Sequence, residues 1–129
     1  MSITPYLLYE DVDGAVEFLS KAFGFRLHGE TMVGADGKLK HAAMKLGDDL
    51  IMMGCPGSNY KNPKRLGQAT QSLYVDVEDV DEHFQRAKEA GATILEEPAD
   101  TFYGHRRYGA EDPEGQQWYF AREIQGAQK

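Results

Sequence analysis

Cysteine is almost missing from this chain: Cys55 stands alone among 129 residues. An intrachain disulfide is therefore impossible, and so is a metal centre built from several thiolates. Cys55 reads as an ordinary thiol, with no basic neighbour in sequence to activate it. Cations are scarce as well. Lys and Arg number 14 against 21 Asp and Glu, and the formal charge of −7 repels phosphate backbones and anionic lipid surfaces. Neither a nucleic-acid nor a membrane partner is expected.

Long apolar runs are also lacking. No window approaches the about 18 apolar residues of a membrane-spanning helix, and Met1 to Pro5 has no positive region leading into an apolar stretch. A cytoplasmic location is the expectation. What is present suffices for one compact domain: 41% of the residues are hydrophobic, among them 7 Tyr and 6 Phe.

The chain repeats itself. A shift of 68 positions lays Tyr6 on Tyr74, the run Glu10-Asp11-Val12-Asp13 on Glu78-Asp79-Val80-Asp81, Ala22 on Ala90, Leu27 on Leu95, Ala42 on Ala110 and Gly47 on Gly115. Two copies of one supersecondary unit explain this. In each copy a β-branched and aromatic stretch, Ile3 to Tyr9 or Thr70 to Val77, predicts a strand. Asp11 and Asp79 then stand where a carboxylate caps a helix. Val12, Ala15, Val16, Leu19, Ala22 and Phe23 recur at helical spacing before Gly24, as do Val80, Phe84, Ala87 and Ala90 before Gly91.

Period-two patterns follow both helices. Phe25 to Val33, Lys38 to Leu46 and Asp49 to Gly54 predict three strands in the first copy, with a hairpin turn at Asp36-Gly37. Thr93 to Glu97, Arg106 to Glu111 and Gln116 to Ala121 predict three in the second, the last two joined at Asp112-Pro113-Glu114-Gly115 by a type I turn. One domain over 1–129 is expected, with a first module at 1–54, a Pro- and Gly-rich linker at 55–69, a second module at 70–123 and a tail at 124–129.

This plan, closed by the hairpin Asp112-Pro113-Glu114-Gly115-Gln116-Gln117-Trp118, resembles the vicinal oxygen chelate superfamily of glyoxalase I, extradiol dioxygenases, fosfomycin resistance proteins and bleomycin-resistance binding proteins. His41-Ala42, the Tyr103-Gly104 loop with Arg106 and Arg107, and the Glu78-Asp79-Val80-Asp81 helix start are most similar to the glyoxalase and bleomycin-resistance-like branch. The resemblance implies an α+β fold of two tandem βαβββ modules, a curled mixed sheet with helices outside and a ligand cavity between modules. It further implies a homodimer, formed in some members by exchanging modules.

Metal-dependent members of that superfamily place ligands at positions that match Thr4 and Ser72 in the first strands, and Met52 and Tyr119 in the last strands. Hydroxyls, a thioether and a phenol are poor substitutes for carboxylate or imidazole at a divalent ion. No metal ligand, cofactor or catalytic residue is therefore expected.

Strand alternation from Ser72, whose counterpart in the family faces the cavity, puts Tyr74 and Asp76 on the cavity side and Leu73, Val75 and Val77 under the helices. The same counting selects Tyr6, His41, Met52, Arg107, Glu111 and Tyr119 as cavity residues, and places Trp118 in the core. The repeat offset sets His41 against Gly109. Mostly apolar walls with a few convergent polar groups suit a small molecule. In the competing reading Tyr6 and Tyr74 merely pack the sheet and Arg107 pairs with Asp76 or Glu111.

His28, His41, His83 and His105 show no metal-binding spacing, and His83 is expected on a partly solvated helix face. The linker, with Tyr60, Lys61, Lys64 and Arg65, reads as a solvated connection or as a lid. The functional expectation is a metal-free protein that sequesters an aromatic or planar small molecule. Asp76 and Glu111 favour a cationic ligand, whereas Arg107 suits an anion. The alternatives are a metal-dependent glyoxalase-like lyase, isomerase or dioxygenase with a displaced metal site, and a domain that binds only a protein partner.

Overall fold

A computed structural model describes residues 1–124 of the chain. Of the expected tail, 125–129 lie outside the described residues. The first half contains β1 (Tyr6–Leu8), α1 (Val12–Phe18), a π-helical turn (Leu19–Phe23), β2 (Arg26–Val33), β3 (Leu39–Leu46) and β4 (Asp49–Gly54). A short helix, α2 (Pro63–Leu66), lies in the linker. The second half contains β5 (Ser72–Asp76), α3 (Val80–Glu89), β6 (Thr93–Asp100), β7 (His105–Glu111) and β8 (Gln117–Glu123). The α+β architecture of two tandem βαβββ units is thus present. No helix among the described residues is long and apolar enough to cross a membrane.

Local chemistry sets the boundaries. The Asp11 carboxylate accepts the Gly14 N–H at 3.0 Å and Asp79 accepts that of Glu82 at 3.1 Å, satisfying donors that a helix start leaves orphaned. Gly24 ends the first helix at φ +86°, a left-handed conformation that other residues rarely adopt. β1 is shorter than expected and starts after Pro5, whose carbonyl still accepts the Met52 N–H at 2.9 Å. β6 runs past the expected Glu97 to Asp100 and includes Pro98. It is an edge strand, where the missing N–H costs no ladder bond.

The strands form two separate four-stranded sheets, in the orders β1-β4-β3-β2 and β5-β8-β7-β6. In each, the first strand runs parallel to the last and the other pairs are antiparallel. Among the described residues no ladder joins the two sheets. Instead both turn one face toward a single core. Leu7, Ala42, Met44 and Met53 from the first sheet share it with Tyr108, Ala110, Trp118 and Phe120 from the second.

Helical residues fill the space between. The Phe23 ring stands 4.7 Å from Phe120 and 5.5 Å from Trp118, and Phe25 meets Trp118 at 5.5 Å. Burying each such ring stabilises the fold by about 1.5–3 kcal/mol. Trp118 is fully buried, as expected.

His83 is half-buried, in line with the expected partial solvation, but it is also wedged between the halves. One ring nitrogen lies 2.9 Å from the Phe23 carbonyl and the other 2.6 Å from the Tyr108 hydroxyl, while its ring stands 4.2 Å from Phe120. A carbonyl can only accept, so Nε2 carries a proton and neutral Nδ1 accepts from Tyr108. The acidic pattern around His83 concealed this, since Asp81, Glu82 and Gln85 on α3 do face water.

A second junction is polar. The buried Glu114 carboxylate accepts the backbone N–H of Glu10 (2.6 Å) and Asp11 (2.8 Å) and the side-chain amide of Asn62 (2.9 Å). The last turn of the second half therefore holds the helix entry of the first and the linker together. The linker is accordingly anchored on this side, and the Arg65–Glu10 ion pair at 2.9 Å adds to that.

Candidate functional site

With their inner faces in one core, the two sheets present their other faces outward. Alternation places Tyr6, Met52 and His41 on the outer face of the first sheet, and Tyr74, Asp76, Arg107, Glu111 and Tyr119 on that of the second. The eight expected residues therefore form two sets. Among the described residues no hydrogen bond links one set to the other.

On the first face, Tyr6 is paired in register with Met52, and Met52 with Ala43. The Tyr6 hydroxyl and His41 Nδ1 are 3.0 Å apart and their rings 5.7 Å. Gly54 makes this possible: a Cβ there would stand 2.5 Å from the Tyr6 hydroxyl. Tyr6 is 51% exposed and thus offers a ring surface to solvent. Arg26, His28 and Lys45 share this face through the Arg26–Lys45 and His28–Ala43 pairs, so it is cationic.

On the second face, Tyr74, Tyr119 and Gly109 form one row across the sheet. The Tyr119 ring lies directly on Gly109, where a Cβ would stand 3.1 Å from it. The Arg107 guanidinium stacks over Tyr119 at 4.8 Å. The same guanidinium makes a two-pronged bond to Glu96, at 3.1 and 3.0 Å, so its charge is compensated. The expected internal partners of Arg107, Asp76 and Glu111, are not the ones it takes. Asp76 lies 3.8 Å from Arg122 and is largely exposed.

Three residues join the site beyond those expected: Tyr103, His105 and Glu96. The Tyr74 hydroxyl is 2.7 Å from His105 Nδ1 and 3.2 Å from the Tyr103 hydroxyl, which also accepts from Arg107 at 3.2 Å. Burial, followed by the bond to Tyr103, pushes the Tyr74 phenol up to about 12. The bond to Tyr74, with Arg107 nearby, holds the Tyr103 phenol below its ordinary value. His105 was legible, since it lies two residues before Arg107 on the same strand face. Tyr103 sits in the hairpin loop, beyond the reach of alternation.

The ladders also correct the pairing of His41 with Gly109. Tyr74 follows Tyr6 by 68 positions and Tyr119 follows Met52 by 67, yet Gly109 follows Ala43 by 66 in the matching row. The counterpart of His41 is thus Arg107, each lying one row further along. An even slip keeps every residue on its face, so the assignments to the outer faces are unaffected.

Thr4, Ser72, Met52 and Tyr119, the positions singled out above for a metal, offer two hydroxyls, a thioether and a phenol. Among the described residues no three His, Cys, Asp or Glu side chains gather closely enough to bind one. This donor set does not fit a divalent cation.

Comparison with known proteins extends the geometry. The family model described as Glyoxalase/Bleomycin resistance protein/Dioxygenase superfamily matches residues 3–120. The crystal structure of TioX from Micromonospora sp. ML1 is similar at 35% identity and a TM-score of 0.79, over 96% of this chain and 99% of that one. An uncharacterised protein of Mycobacterium bovis is 35% identical over 95% of this chain and 84% of its own length. A glyoxalase-related enzyme from Fulvimarina pelagi shares the fold, with a TM-score of 0.72 at 15% identity over 95% of this chain and 88% of the other. From the repeated βαβββ unit, its ladders and this match over nearly its whole length, the chain belongs to the glyoxalase/bleomycin resistance protein/dioxygenase superfamily.

Proposed function

We propose that this protein is a metal-free small-molecule binder that sequesters an aromatic or planar ligand, in the manner of bleomycin-resistance proteins, on the ring surfaces of its outward sheet faces. The observation that carries this reading is the half-exposed Tyr74 ring, fixed by Tyr103 and His105. Asp76 follows it by two positions on the same strand face and keeps 79% of its side chain exposed beside Arg122, Glu111 stands one row away across β8, and Glu96 compensates Arg107. That balance favours a planar cation over an anion.

A homodimer belongs to the same proposal, because each face is only one wall. The first face carries Arg26 and Lys45 and the second carries Asp76 and Glu111, so the first face of one copy complements the second face of another. Two-fold symmetry then gives two equivalent clefts, each with both sets of rings.

The test is titration of the full chain with a planar acridinium dye, followed by tyrosine fluorescence. Saturable quenching is expected, and Tyr74→Ala should weaken it about tenfold, the scale of one aromatic stack. An affinity unchanged by Tyr74→Ala, in a variant with unaltered circular dichroism, would overturn the reading.

A further inference from the structure

The linker does more than connect. Tyr60 donates its hydroxyl to the Leu8 carbonyl at 3.0 Å, and Gln116 donates its amide to the same oxygen at 2.9 Å. Together with the Asn62 and Arg65 anchors, these bonds lay residues 60–71 beside β1, on the side of that strand away from β4. A half-open cavity of ≈ 250 Å³ results, whose lining includes Leu8, Tyr60, Lys61, Leu66, Gln68 and Gln71. At the about 30 Å³ that a liquid water takes up, it has room for about eight waters or one substituted ring.

Its chemistry differs from that of the sheet faces. The linker 55–69 has three cations, Lys61, Lys64 and Arg65, and no carboxylate, in a chain of net charge −7. Arg65 is paired with Glu10, whereas among the described residues no acidic group lies within ion-pair distance of Lys61. Leu66 is 61% exposed at the cavity wall and offers an apolar surface there. Glutamine amides complete the rim with further donors.

We infer that this cavity is a second binding site, one for a small aromatic carboxylate. The carboxylate meets Lys61 and the glutamine amides, and the ring lies against Leu8 and Leu66. Tyr6 also lines this cavity, but Lys61, Leu66 and the glutamines that distinguish it have no part in the Tyr74 surface, so either proposal can fail alone.

The experiment compares sodium benzoate with benzamide, its uncharged counterpart of similar shape, by amide NMR shifts of the full chain at low salt. Benzoate should bind about fivefold more tightly, as a partly screened ion pair allows. Shifts should centre on residues 60–71. Lys61→Gln should bring benzoate down to the benzamide level, Lys61→Arg should retain it, and both variants should bind the acridinium dye as the parent does. Equal binding of the two probes, indifference to Lys61→Gln, or shifts centred elsewhere would overturn the proposal.

Discussion

Tyr9 and Asp112 stand 103 positions apart in the chain, yet the phenol donates to the carboxylate at 2.6 Å inside the protein. The same carboxylate accepts the Trp118 indole N–H at 3.1 Å and the backbone N–H groups of Glu114 (3.1 Å) and Gln116 (3.0 Å). Burial raises the Asp112 pKa, and the four hydrogen bonds oppose the rise. One side chain thus shapes the last turn and ties it to the first half.

Tyr9→Phe should therefore cost about 1–2 kcal/mol, because it strands part of a buried acceptor. Asp112→Ala should cost about 3 kcal/mol or more, since it leaves several buried donors without a partner. Urea unfolding checks both. A fully stable Asp112→Ala variant would show that the turn closes without its carboxylate.

His83 makes stability depend on pH. Burial lowers its pKa, assisted by the Arg86 charge and opposed by the bond to the Phe23 carbonyl. The unfolded chain therefore takes up the proton first. This contribution to stability is complete above the unfolded value of about 6.5 and is lost as pH falls through the lower folded value. Urea midpoints between pH 8 and 5 should fall more steeply for the parent than for His83→Asn. Parallel curves would contradict the assignment.

Gly54→Ala tests the first ring surface without touching either ring. Its Cβ would meet the Tyr6 hydroxyl, so the phenol must swing away and the Tyr6–His41 bond must break. Stability should fall by about 1 kcal/mol or more, because the Cβ would also stand 3.2 Å from the Lys40 backbone carbonyl, which cannot swing away as the phenol can. Loss of coupling between the Tyr6 and His41 ring signals in NMR is the expected readout.

Self-association should follow the face charges. Asp76→Lys combined with Glu111→Lys should weaken it at low salt, and adding Arg26→Glu with Lys45→Glu should restore it. Sedimentation velocity of the three proteins distinguishes this from a general loss of solubility, in which the fourfold variant would stay impaired.

Much of the fold was legible because strand alternation and helix capping are local. Ser72, Tyr74 and Asp76 face outward, Leu73 and Val75 inward, and Asp11 and Asp79 cap their helices as their sequence context predicts. What escaped depended on long-range contacts. The contacts of His83 with Phe23 and Tyr108 escaped because nothing in its own helix reveals them. The Glu96 partner of Arg107 lies across an irregular stretch of the β6–β7 ladder, where counting loses register. The separation of the two sheets also depends on where helices settle, which no periodicity encodes.

The shared interior has a practical corollary for anyone cutting the chain. Phe23 belongs by sequence to the first half but is sealed by Phe120 and Trp118 of the second, so an isolated half would leave these rings open to water. A protease nick between residues 56 and 60 should yield two fragments that stay together in native buffer. Heating should release both in a single calorimetric event, with neither fragment melting on its own.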